Sequence, residues 1–131
     1  MKNDIKTIVK EIKKEIKNNL VSIILFGSAA RKTQEKESDY DILVITSKSL
    51  KNDWKIGGKI KYNLFGKLER PVDIIFQDES DLKYPSPLWY EIYSASRVLY
   101  GKDIIFDLKK LTAGIKPLFL RGVKVGWQLS G

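Results

Sequence analysis

An α/β fold with a mixed sheet is predicted by three features of this 131-residue chain. Apolar, β-branched runs of strand length recur as "LVSIILF" at 20–26, "YDILVIT" at 40–46 and "RPVDIIF" at 70–76, each bounded by polar or glycine-containing segments. Segments with apolar residues at helical spacing alternate with these runs, a rhythm that belongs to layered helix-and-sheet domains. The length suits one domain with one modest core. The expected architecture is therefore a sheet of at least three strands, at 21–26, 40–46 and 70–76, with helices packed on one face.

Taken in order, residues 3–19 place Ile5, Ile8, Val9, Ile12 and Ile16 on one face and lysines opposite. That pattern predicts an amphipathic helix capped by Asn3 or Asp4, with Lys13, Lys14 and Lys17 at the negative end of its dipole. Between the second and third strands, Trp54, Ile60, Leu64 and Leu68 suggest a helix, weakened by Gly57 and Gly58. Ser86 followed by Pro87 reads as an N-cap and first helical residue. The helix it starts is expected to present Leu88, Ile92, Ala95 and Leu99 as a stripe ending near Gly101. A further short helix is predicted from Asp103 to Leu111. The organisation expected is a folded domain over 1–111 and a tail over 112–131. Glycine and proline punctuate that tail, while Val123, Val125 and Trp127 alternate like an exposed strand. An added strand, a partner-binding tail and an unrelated scar all fit it.

Composition removes several chemistries. The chain has no cysteine and no histidine, which excludes disulfides, thiolate nucleophiles, zinc sites of the usual kind and the commonest general base. Acid–base or metal chemistry must rest on carboxylates, lysines and hydroxyls. A net charge of +8 fits an anionic ligand or partner, and equally a lysine-rich surface. No apolar run reaches membrane-spanning length and the lysine-rich start lacks a signal peptide's apolar block, so a cytoplasmic protein is expected. GxxxxGK[ST] is absent around Gly58-Lys59 and Gly66-Lys67. No RRM, KH or zinc pattern appears, and Trp54, Tyr62, Trp89, Tyr90 and Tyr93 sit at helical spacing, where core packing is expected rather than nucleic-acid binding.

The stretch "FGSAARKTQEKESDYDILV", 26–44, carries the chemistry. Side chains alternate along a strand, so Asp39 and Asp41 share one face and Tyr40 takes the other. Two carboxylates about 4 Å apart repel by roughly 4 kcal/mol at an effective dielectric near 20. Mg²⁺ removes that penalty and favours carboxylate oxygens together with substrate phosphates. Asp73 interrupts the apolar run Val72, Ile74, Ile75, Phe76, where an unpaired charge is costly; beside the second strand it completes a carboxylate triad. Upstream, Gly27-Ser28 leads into a helix and exposes backbone N–H groups that can hold phosphate, with Arg31 one turn on. Taken singly, each has a structural reading: Asp39 as a turn residue, Gly-Ser as a common loop, Asp73 as an edge acid facing water.

Together, "GSAARKTQEKESDYDILV" and the later "VDIIF" resemble the minimal nucleotidyltransferases of the DNA polymerase β superfamily: Gly-Ser, ten residues, then Asp-x-Asp, with arginine three after the serine. The similarity runs from about Leu20 to Gly101. It implies the nucleotidyltransferase fold and two Mg²⁺ ions about 4 Å apart that position a nucleoside triphosphate, commonly ATP, for attack at its α-phosphorus. By position, Asp39, Asp41 and Asp73 become metal ligands, with Asp73 also helping to activate the acceptor hydroxyl. Gly27 and Ser28 become the holders of the β and γ phosphates, assisted by Arg31. Lys32 stands where the family often has glycine. Stand-alone members of this kind are paired with a small helical HEPN-type toxin and act as antitoxins by adding AMP to a hydroxyl of that partner. Neutralisation by binding alone, without transfer, is the alternative. The acceptor expected from this resemblance is a tyrosine of the partner; the base of the nucleotide has no readable pattern.

Overall fold

The computed structural model describes residues 2–31, 39–84, 86–104, 115–120 and 123–129; the side chains of residues 28 and 31 and of the last two segments lie outside that description. The elements are α1 (Lys2–Ile16), β1 (Leu20–Phe26), α2 (Ser28–Arg31), β2 (Tyr40–Thr46), α3 (Asp53–Leu64), β3 (Val72–Asp78), α4 (Pro87–Ser94), β4 (Ser96–Gly101), β5 (Ile115–Leu120) and β6 (Val123–Leu129). The main sheet has the order β3-β2-β1-β4. β2 and β3 are parallel, and the other two pairs are antiparallel, so the sheet is mixed, as predicted. A parallel pair needs a crossover connection, and α3 supplies it.

The central strands read as unbroken apolar runs because both their faces are covered. Ile23, Leu25, Tyr40, Ile42 and Val44 pack against Ile8, Ile12 and Ile16 of α1 and Ile60 and Leu64 of α3. Ile24, Phe26, Leu43 and Ile45 pack on the opposite side against Trp89 and Ile92 of α4 and against Ile104. The two long helices thus share one face, as expected, but the short α4 covers part of the other, where the apolar side chains Ile24, Leu43 and Ile45 need cover, so the helices are not confined to one face.

β4 replaces the second half of the helix expected over 88–99. α4 is capped by Ser86, whose Oγ accepts from Leu88 N–H, and has Pro87 in its first turn, as predicted. It stops when Ala95 takes an extended backbone. Ser96–Gly101 then pairs with β1, satisfying an edge that would otherwise stay open. Val98 and Leu99 consequently pack on opposite clusters rather than on one stripe. In the tail, β5 and β6 form a two-stranded antiparallel sheet of their own. Of the helix expected from Asp103 to Leu111, Asp103 and Ile104 are not helical, and the rest lies outside the described residues. No helix among the described residues is long and apolar enough to cross a membrane.

Asp4 corrects a local expectation. It is buried at 6% exposure, and its Oδ2 accepts from Tyr40 Oη at 2.7 Å and from Glu69 N–H at 3.0 Å. Its carboxylate therefore holds the sheet rather than capping α1. Burial, then this bond to Asp4, pushes the Tyr40 phenol far above its ordinary range, so the hydroxyl stays a donor. Asp4→Ala leaves the buried Tyr40 hydroxyl without its acceptor and removes the part-buried bond to Glu69 N–H, and is expected to lower stability by about 1–3 kcal/mol. Urea unfolding measures this, and Asp4→Asn, which retains an acceptor, should lose less.

Candidate active site

Three acids meet at one end of the sheet because of how the strands run. β2 and β3 are parallel, so both begin there, and antiparallel β1 ends there. Asp41 is the direct register partner of Asp73 on β3 and of Phe26 on β1. Asp39 precedes β2 by one residue. By strand alternation all three acids share the face of Leu43 and Ile45, the side covered by α4. Asp39 and Asp73 are exposed and Asp41 is half-buried.

Gly27 follows Phe26 with φ +72, in the left-handed region that favours glycine. A Cβ built there would land on Asp41 Oδ2. The turn between β1 and α2 is thus pressed against the central carboxylate, and only glycine allows the approach. Ser28 opens α2 and Arg31 closes it. Lys32 lies outside the described residues.

Behind the acids, Tyr40 fixes the start of both strands. Its N–H donates to Pro71 O at 2.9 Å, its hydroxyl reaches Asp4, and the Arg70 guanidinium lies 5.5 Å from its ring centroid. The residue between Asp39 and Asp41 is therefore anchored to the segment that leads into Asp73.

Burial, followed by the charges of Asp73, Asp39 and Glu91, pushes the Asp41 carboxyl above its ordinary value of 3.8. Glu91, on α4, is a fourth acid that sequence reasoning missed; it sits between the core residues Trp89 and Ile92 in a helix assigned to packing. Among the described residues, no three acids are gathered closely enough to form a metal cage from protein atoms alone. The donor set still suits Mg²⁺, which is held by one or two carboxylates and completes its shell with waters and substrate phosphates. Like charges around a half-buried carboxylate are what such a cation would relieve.

The raised value sets a pH dependence. Folded protein holds the Asp41 proton more tightly than unfolded chain, so the contribution of Asp41 to metal-free stability is greatest below 3.8. It is lost as pH rises through the raised folded value. Urea unfolding in chelator across the carboxylate range should show this decline, with Asp41→Asn flatter than the parent.

Residues 6–105 match the family model "Polymerase beta, Nucleotidyltransferase". The chain belongs to this family. An inferred protein adenylyltransferase of Methanocaldococcus jannaschii is 28% identical over 130 residues, covering 92% of this chain and 88% of that one. The structure is similar to that of a toxin–antitoxin crystallised with AMP-PNP, with TM-score 0.58 and 26% identity over 82% of this chain and 79% of that one. It is also similar to the toxin–antitoxin MntA–HepT carrying two aspartate-to-glutamate substitutions, with TM-score 0.62 and 25% identity over 82% and 84% of the two chains. The predicted family, fold and enzyme class are all borne out: the chain is a nucleotidyltransferase.

Proposed function

We propose that this nucleotidyltransferase transfers AMP from ATP to a hydroxyl of a protein partner, a small helical HEPN-type toxin, and so acts as the antitoxin of the pair in the cytoplasm. The observation that carries the reading is the pairing of Asp41 with Asp73 directly beside Gly27, which sets two carboxylates against a glycine turn. The adenylyltransferase named among the relatives and the AMP-PNP in a similar toxin–antitoxin support the nucleotide and the class of acceptor.

In this reading Asp39, Asp41 and Asp73 would hold two Mg²⁺ ions, which would supply charge neutralisation at the triphosphate. Gly27 and Ser28 receive the β and γ phosphates on backbone N–H groups, and Arg31 assists. Asp73, exposed at the edge strand, takes the proton of the acceptor hydroxyl as its oxygen bonds to the α-phosphorus. The bond from the α-phosphorus to the bridging oxygen breaks, and pyrophosphate leaves with the electron pair. Tyr40, anchored on Asp4 and Pro71, keeps Asp39 and Asp41 in place. Mass spectrometry of the co-expressed partner tests the reading. The expected result is one or more AMP groups on hydroxyl side chains; an unmodified but neutralised partner would leave only the binding alternative.

A further inference from the structure

The aromatics of α3 are not core residues. Trp54 is 77% exposed, Tyr62 82% and Phe65, just past the helix end, 88%. Gly57, Ile60 and Leu64 form the inward row, while Trp54, Gly58 and Tyr62 lie four residues apart on the outward side. Large exposed apolar patches mark interaction sites. A Cβ at Gly58 would meet nothing within 4 Å, so a hole lies between two aromatic ridges. Trp54, Gly58 and Lys61 also line a groove of about 520 Å³ whose far wall is Ile74 and Phe76 of the edge strand β3.

We infer that this groove docks a helix of a partner protein, one with an apolar i, i+4 row flanked by acidic residues. The row fits a helix because i±4 ridges pack into the matching grooves of another helix, with a side chain entering each gap. The repeat of about 6 Å along Trp54, Gly58 and Tyr62 is that of helical side chains. Charge decides the flanks. Residues 51–67 hold Lys51, Lys55, Lys61 and Lys67, besides Lys59 paired with Glu15 of α1, against the single acid Asp53. A second copy would set lysine against lysine, whereas an acidic helix is attracted and steered.

The inference is independent of the proposed transfer reaction and is tested without ATP. The probe is a stapled amphipathic peptide with a leucine row and glutamate flanks, titrated into the full chain by fluorescence anisotropy. It should bind, weaken with salt, and lose affinity by about tenfold or more in Trp54→Ala. Gly58→Leu should abolish binding while melting no lower than the parent, because leucine is the better helix former. A lysine-flanked counterpart should not bind. Failure of the acidic peptide to bind, or equal binding by Gly58→Leu, overturns the inference. So does oligothymidylate binding lost in Trp54→Ala, which reassigns the face to single-stranded nucleic acid, or self-association lost in Gly58→Leu, which reassigns it to a second copy.

Discussion

Asp41→Asn should abolish nucleotidyl transfer while leaving the metal-free protein at least as stable as the parent. The substitution keeps the size and most of the hydrogen bonding of the side chain but removes its charge. That charge faces Asp73, Asp39 and Glu91 from a half-buried position, so its loss relieves repulsion. In the proposed two-metal site the same change would withdraw a carboxylate oxygen from Mg²⁺. Even residues that merely support metal ligands are worth about 10–100-fold, so a direct ligand should lower pyrophosphate release by at least about 100-fold. Melting in chelator and pyrophosphate release with Mg²⁺ and ATP, measured on the same preparation, separate the two effects. A variant that melts much lower would assign Asp41 a structural role instead.

Gly27→Ala should harm both properties. At φ +72 an L-residue loses about 1–2 kcal/mol relative to glycine. The added methyl also lands on Asp41 Oδ2, so the turn or the carboxylate must move. Stability should fall by about 1–2 kcal/mol from the backbone alone, and the Mg²⁺ concentration needed for half-maximal transfer should rise. A double-mutant cycle isolates the clash. In an Asp41→Ala background the backbone cost remains but the methyl has room, giving a coupling of more than about 0.5 kcal/mol between these contacting positions. Additive effects would show that the turn does not touch the acid.

The sheet and its acids were legible for the same reason: burial on both faces writes β1 and β2 as continuous apolar runs, and against that background Asp41 and Asp73 stand out. What failed was non-local. β4 carries Val98, Leu99 and Tyr100 in a pattern that also fits a helix, and only the open edge of β1 selects the strand. Asp4 looks like a helix cap in sequence, yet its hydrogen-bond partners are 36 and 65 residues away. Trp54 and Tyr62 share helical spacing with the core residues of α3 but belong to its outward row, a distinction set by Gly57 packing on Phe76. Glu91 carried no signal because its neighbours Trp89 and Ile92 are core.

The most direct test follows the label. The chain, its partner and Mg²⁺ are incubated with ATP radiolabelled at either the α or the γ phosphate, and partner protein is then separated and counted. Transfer of AMP predicts that α label appears on the partner, that γ label leaves as pyrophosphate, and that Asp41→Asn gives neither. Label arriving from the γ phosphate, or α label transferred undiminished by Asp41→Asn, would contradict the assignment of nucleotidyl transfer to this site.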